Sequence, residues 1–246
     1  MPEGPSIVIL REEAAGFAGR KVLRVGGNSS QDIARALNRK VLGLRSWGKH
    51  FLIEFDGCSL RIHFMLFGSY RINEQKPAPP RLSLGFSKGE ELNFYACSVK
   101  FVEGALDDAY DWSADVMSPT WNAVAARRKL RAAPEVLVAD ALLDQDVFAG
   151  VGNIIKNEVL FRIRVHPLST VGALPPRKLA QLVDEAREYS FDFYRWKKAF
   201  VLKKNYQVHT RTTCPRDGAR LAYRKSLGTA QRRAFFCETC QRRYGS

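Results

Sequence analysis

Three groups of residues have the types and spacing for chemistry. In the C-terminal stretch, Cys214-Pro-Arg-Asp217 and Cys237-Glu-Thr-Cys240 form two short loops that offer three thiols and a carboxylate. Paired loops of this kind are how zinc ribbons hold a tetrahedral Zn²⁺, and a carboxylate oxygen can serve as a ligand. Asp217 or His209 could complete the set with Cys214, Cys237 and Cys240. The plain alternative is a metal-free hairpin with surplus thiols. At the other end, Pro2 follows Met1, so removal of Met1 would leave a free secondary amine. An N-terminal amine has a pKa near ~8 and is partly unprotonated at neutral pH. Amine nucleophiles attack aldehyde-like carbons to give Schiff bases. Glu3 stands beside it as an acid/base, and a helix expected after Pro5 turns its positive end toward both. Between these ends, Ala149-Gly-Val-Gly-Asn153 separates two helical stretches. Glycines allow close backbone approach, and Asn153 is expected to cap the next helix. Its free N–H groups would seat a phosphate, with Lys156 one turn on.

The elements that must position these residues are legible as a change of texture. Ile7, Leu10, Ala14 and Phe17 follow helical spacing, and Ser30 or Asp32 opens a short helix to Leu37. Six short β-type runs follow: 41–44, 51–55, 60–64, 70–72, 82–86 and 92–95. Asp56-Gly57 and Lys88-Gly89 read as hairpin turns. Residues 105–120, rich in aspartate, read as a linker or domain boundary. Beyond it the pattern is helical at 124–130, 135–143, 154–161 and 177–196. The expected fold is α+β: a helix-flanked antiparallel β-sandwich, a helix–two-turn–helix domain and a zinc-finger β-hairpin. The domains are placed at residues 1–112, 113–204 and 205–246. Cys58 and Cys97 fall inside strand patterns and read as small buried apolar residues.

Charge points to the partner. The chain of 246 residues has a formal net charge of +14. Residues 196–246 hold 13 basic and 2 acidic side chains, while the first 195 are nearly balanced. A near-neutral body with a basic end suits a polyanion, most economically nucleic acid. A hydrophobic fraction of 46% gives ample core and argues against disorder. No apolar run approaches the ~20 residues that span a bilayer. The start lacks a secretory pattern, and five cysteines form no disulfide framework, so a reducing compartment is expected: cytoplasm with the bacterial nucleoid, or a eukaryotic nucleus.

Taken in order, these motifs resemble the formamidopyrimidine-DNA glycosylase / endonuclease VIII (Fpg/Nei) family. The resemblance runs through the Pro2-Glu-Gly-Pro5 start, the Gly48-Lys49 hairpin, Val151-Gly-Asn-Ile154, and Ala230-Gln-Arg-Arg-Ala-Phe-Phe-Cys-Glu-Thr-Cys-Gln241. Pro-Glu-Gly-Pro is similar to the endonuclease VIII branch. The resemblance implies a bifunctional DNA glycosylase and abasic-site lyase of base excision repair, acting on oxidised bases, with oxidised pyrimidines the branch expectation, as a monomer with one structural zinc. Pro2 would attack C1′, Glu3 would shuttle protons and Lys49 would contact phosphate near the lesion. Met65, Leu66 and Phe67 would plug the gap left by an extruded base, and Lys100 would lie near a second wedge-bearing loop. Asn153 and Lys156 would contact phosphates, as would Arg232 or Arg233 from the zinc finger. The DNA could be duplex, single-stranded or a bubble. Two positions depart from the family pattern: Ser6 replaces a frequent glutamate, and Asp217 replaces a cysteine. A non-catalytic DNA-damage or DNA-structure binding protein on the same fold is the alternative. A zinc-ribbon RNA-binding protein would explain the basic end but not Pro2, Glu3 and Lys49.

Overall fold

A computed structural model describes residues 2–245. The chain divides into two compact units, residues 1–111 and 112–246. In the first, helix α1 (Gly4–Glu13) opens with Pro5 in its first turn, where a missing N–H costs nothing. Six strands follow: β1 (Arg24–Gly26), β2 (Gly43–Trp47), β3 (His50–Phe55), β4 (Cys58–Ile72), β5 (Leu82–Gly85) and β6 (Glu91–Glu103). They hydrogen-bond in the order β1-β5-β6-β4-β3-β2, with every pairing antiparallel. Helix α1 packs against β2 and β3.

This one ladder makes two layers. Phe51 of β3 lies opposite Ile62, and Ile62 opposite Val99 of β6. Phe94 is five residues from Val99 along β6, so a flat sheet would hold Phe51 and Phe94 roughly 19 Å apart. Their ring centroids are 5.8 Å apart. The sheet therefore folds over on itself, with Phe51, Phe64, Phe94 and their neighbours as the filling. The fold-over coincides with an irregularity in β4: Phe64 pairs with Cys97 and Ser69 with Tyr95, leaving 65–68 outside the ladder opposite Ala96, which has φ 46°. Gly68 closes this bulge. A Cβ there would sit 2.6 Å from Phe64 Cβ and 2.9 Å from the Ala96 carbonyl oxygen. Gly68→Ala is expected to lower stability by about 1–3 kcal/mol in urea unfolding, the usual cost of overpacking. A variant as stable as the parent would show that the bulge is slack.

In the second unit, α2 (Leu106–Ala109) having closed the first, the helices are α3 (Ala123–Arg131), α4 (Val138–Ala141), α5 (Asn153–Arg162) and α6 (Pro176–Lys198). The expected helix over 135–143 is cut to α4. The Val171 N–H bonds the Val136 carbonyl and the Val138 N–H bonds the Ser169 carbonyl, so long-range pairing takes the groups a helix would need. The stretch 105–120, expected as a linker or domain boundary, does hold the division between the two units, after residue 111, but it is packed structure and not a loose linker: Val116 is fully buried, and its N–H bonds the Ala149 carbonyl. Strands β7 (Ala222–Leu227) and β8 (Arg232–Phe236) form the terminal hairpin. Leu227, Ala234 and Phe236 join the core of α3, α5 and α6, so residues 205–246 share a unit with the helices.

Candidate functional site

In the first unit, Glu3 is the N-cap residue of α1 and is 2% exposed, yet its carboxylate makes no cap bond to its own helix. The carboxylate is thus held in the fold at the entrance of α1, next to half-buried Pro2. Lys49 stands at the apex of the two-residue turn joining β2 to β3, closed by the Trp47–His50 pair. Gly48 takes φ 52° there, as such turns require. The two strands that the Lys49 turn joins, β2 and β3, are also the strands on which α1 packs.

Beneath the hairpin lies an aromatic and polar group that motif reading missed. His50 and His63 face each other in register on β3 and β4, rings 5.2 Å apart, and the His63 ring hydrogen-bonds the Lys49 backbone. Trp47 packs against Tyr110, the tilted rings 5.0 Å apart, and donates from Nε1 to the Asp111 carbonyl at 2.9 Å. Burial, then Arg61, lowers the His50 pKa to about 3, and burial lowers that of His63. The available signal was the alternation Trp47, Lys49 and His50, Arg61, His63 about a Gly turn.

Met65, Leu66 and Phe67 are 56%, 50% and 84% exposed on the β4 bulge and lie outside the sheet core. Lys100, expected near a loop, is exposed on a strand. It lies within β6, paired with Arg61 of β4, and not in a loop, because β6 runs on through Glu103.

In the second unit, Gly152 and not Asn153 is the N-cap of α5, and Asn153 is its first residue. Gly150 takes φ 100°, which glycine tolerates. Gln145 staples the turn, donating to the Leu143 carbonyl at 2.7 Å and accepting from the Gly150 N–H at 3.1 Å. The Asn153 Oδ1 is buried without a hydrogen-bond partner in the described protein.

Lys156 corrects an expectation. It is 1% exposed and its Nζ donates to the Arg233 carbonyl at 3.0 Å, so it anchors β8 and presents no surface to a phosphate. Its neighbours act similarly. Asn157 pairs with His209 Nδ1 at 2.9 Å, and the buried Glu158 carboxylate accepts the N–H groups of Gln207, Val208 and His209. Arg232 and Arg233 themselves are exposed.

Cys214, Asp217, Cys237 and Cys240 place one ligand atom each within 4.8 Å of one another. Zinc bonded to sulfur at ~2.3 Å sets tetrahedral sulfurs ~3.8 Å apart and a carboxylate oxygen ~3.5 Å from each. The Cys214–Cys240 sulfurs are 3.6 Å apart, and Asp217 Oδ2 is 3.3 Å and 2.8 Å from the sulfurs of Cys237 and Cys240. The donor set and its spacing fit a tetrahedral metal. His209, the rival fourth ligand, is committed to Asn157 and lies outside the cluster.

Burial, then Arg233, lowers the His209 pKa to about 4. His50 and His209 thus fold neutral and bind protons only after unfolding, at a pKa near ~6.5. Their contribution is present above pH ~6.5 and is lost as pH falls toward the folded values, by about 2 kcal/mol each at pH 5. Urea midpoints should drop between pH 7 and pH 5; a flat profile would contradict this.

Family models for the formamidopyrimidine-DNA glycosylase N-terminal domain and H2TH domain match residues 1–97 and 114–189. The chain is 31% identical over 228 residues to Endonuclease 8-like 3 of Homo sapiens, covering 89% of this chain and 37% of that protein. Against Endonuclease 8-like 2 of Bos taurus it is 33% identical over 204 residues, covering 75% and 58%. The chain thus spans less than two-fifths of the length of the human relative. A viral DNA glycosylase structure superposes with TM-score 0.85 at 16% identity, covering 98% of this chain and 100% of that one. Lactococcus lactis formamidopyrimidine-DNA glycosylase bound to DNA containing an abasic site superposes at 0.84, with 21% identity and the same coverage. At such identities these superpositions establish the fold. The chain belongs to the formamidopyrimidine-DNA glycosylase / endonuclease VIII family, on its endonuclease VIII-like branch. Among the described residues no helix is long and apolar enough to cross a membrane.

Proposed function

We propose that this chain is a bifunctional DNA glycosylase and abasic-site lyase of base excision repair, acting on oxidised bases, pyrimidines foremost. The observation that carries the reading is the buried Glu3 at the head of α1, next to Pro2, on the element that packs against the Lys49 hairpin strands. The Pro2 amine attacks C1′ of the damaged nucleoside, the C1′–N bond breaks, and the base leaves with its electron pair. The Pro2 N–H proton passes to the departing base, Glu3 protonates the sugar ring oxygen, and the ring opens to a cationic imine (an iminium ion) at Pro2. The imine is an electron sink that acidifies C2′; loss of that proton expels the 3′ phosphate, and a second elimination expels the 5′ phosphate. Lys49 grips the phosphate beside the lesion. Asn153, Arg232 and Arg233 hold neighbouring phosphates, and the exposed Met65, Leu66 and Phe67 fill the gap in the stack. A zinc ion on Cys214, Asp217, Cys237 and Cys240 fixes the terminal hairpin and takes no part in the chemistry. The protein acts as a monomer on damaged DNA.

The experiment is strand cleavage of end-labelled oligonucleotides carrying one oxidised pyrimidine, one abasic site or no lesion. The reading expects products with phosphate at both ends of a one-nucleotide gap from the first two. Tight binding to all three without cleavage would favour a non-catalytic DNA-binding protein.

A further inference from the structure

Phe200 is the odd residue of the second unit. It is 96% exposed and takes φ 58°, the left-handed region that residues with a side chain avoid. It follows the C-cap of α6. The Phe200 N–H bonds the Lys197 carbonyl at 3.1 Å and the Val201 N–H bonds the Trp196 carbonyl at 2.9 Å. This is the helix-ending motif whose left-handed position glycine normally fills. A phenylalanine there carries backbone strain and leaves a whole ring in water, while Trp196 and Leu202 on either side pack onto the core.

The loop that displays the ring is fixed. Arg211 donates to the carbonyls of Tyr206 at 3.0 Å and Lys203 at 2.9 Å, and Asn205 donates to the Val201 carbonyl at 3.0 Å. The Glu158 carboxylate pins the next three residues. Around the ring, Lys197, Lys198, Lys203 and Lys204 are all exposed, and no acidic residue occurs between Asp192 and Asp217. An exposed aromatic ring on a fixed loop among lysines matches how proteins hold unpaired nucleic acid: bases stack on the ring while cations follow the backbone. A duplex keeps its bases stacked on one another and offers this ring no face.

We infer that Phe200, with Lys197, Lys198, Lys203 and Lys204, is a stacking site for an undamaged base of single-stranded nucleic acid. The site involves no lesion and none of the Pro2 chemistry, so it stands or falls separately from the glycosylase reading.

The test is fluorescence anisotropy of the zinc-loaded protein titrated with a fluorescein-labelled undamaged oligothymidylate, and with an undamaged duplex of equal length. Phe200→Gly is expected to weaken single-strand binding by about 5-fold to about 100-fold, with little change for duplex. Its thermal midpoint should stay level or rise, since glycine relieves the left-handed strain. Phe200→Trp should keep the affinity and Phe200→Leu should lose it as glycine does. Unchanged binding by Phe200→Gly, or equal weakening on both DNAs, would overturn the inference. Full affinity in Phe200→Leu would also overturn it, pointing to an apolar contact such as a protein partner makes.

Discussion

Pro2→Gly is expected to cut cleavage of abasic DNA by at least ~100-fold while DNA affinity stays within a few fold. One residue left ahead of Pro2 should abolish cleavage. An added residue turns the amine into an amide, which has no lone pair for C1′. Glycine leaves a primary amine but removes the ring that fixes its direction beside Glu3, and misplacement of a reacting group by ~1 Å costs on the order of 100-fold. Affinity survives because the phosphate contacts assigned here lie elsewhere, at Lys49, Asn153, Arg232 and Arg233, and phosphate contacts carry most of it. Single-turnover cleavage and an equilibrium titration of the same protein check both halves. Equal loss of binding and cleavage would make the N-terminus a structural element, which the burial of residues 4–10 in α1 renders a real alternative outcome.

The second large effect concerns the metal. Cys237→Ala is expected to release zinc and to unfasten the terminal hairpin, dropping DNA affinity along with the placement of Arg232. Cys237 is fully buried, and its own N–H bonds Gln241 Oε1 at 2.8 Å, so its sulfur sits at the root of the loop. Structural zinc contributes on the order of 10 kcal/mol to such small modules. Here part of that is shared, because Lys156 and Glu158 hold the same segment from α5. The unit should therefore lose the hairpin without losing its helices, visible as retained helical circular dichroism with faster proteolysis after residue 205. Asp217→Cys should tighten zinc, since a thiolate is a softer ligand than a carboxylate. Metal analysis with a chelator titration reads both variants; a parent protein with no bound zinc would leave Asp217 as a turn residue bonding the Ala219 N–H.

The residues to which the chemistry is assigned were legible because they are local. The Gly48-Lys49 turn, the Cys/Asp loops and the Pro2-Glu3 start are each set by a few neighbouring residues. Misplaced residues depend on distant partners. Lys156 sits one turn past a glycine turn in a basic chain, which reads as a phosphate contact. Yet residues 155–161 of α5 are buried all round, and the acceptor for Lys156 lies 77 residues on. The resemblance sets Lys100 near a loop, and the β pattern legible in the sequence lapses after Tyr95. The lapse is Ala96, whose left-handed backbone marks the fold-over and not the strand's end. Likewise the apolar run 64–67 showed no alternation, and only the register shift against β6 tells which of its residues turn outward.

The central claim is a covalent intermediate on the Pro2 amine. Incubating the processed protein with DNA bearing one abasic site, in the presence of borohydride, reduces any imine to a stable secondary or tertiary amine. The account expects one adduct per active chain and, after digestion and mass spectrometry, a sugar remnant on the peptide that begins at Pro2. Trapping on a lysine such as Lys49 with Pro2 unmodified, or no adduct from protein shown to start at Pro2, would contradict it.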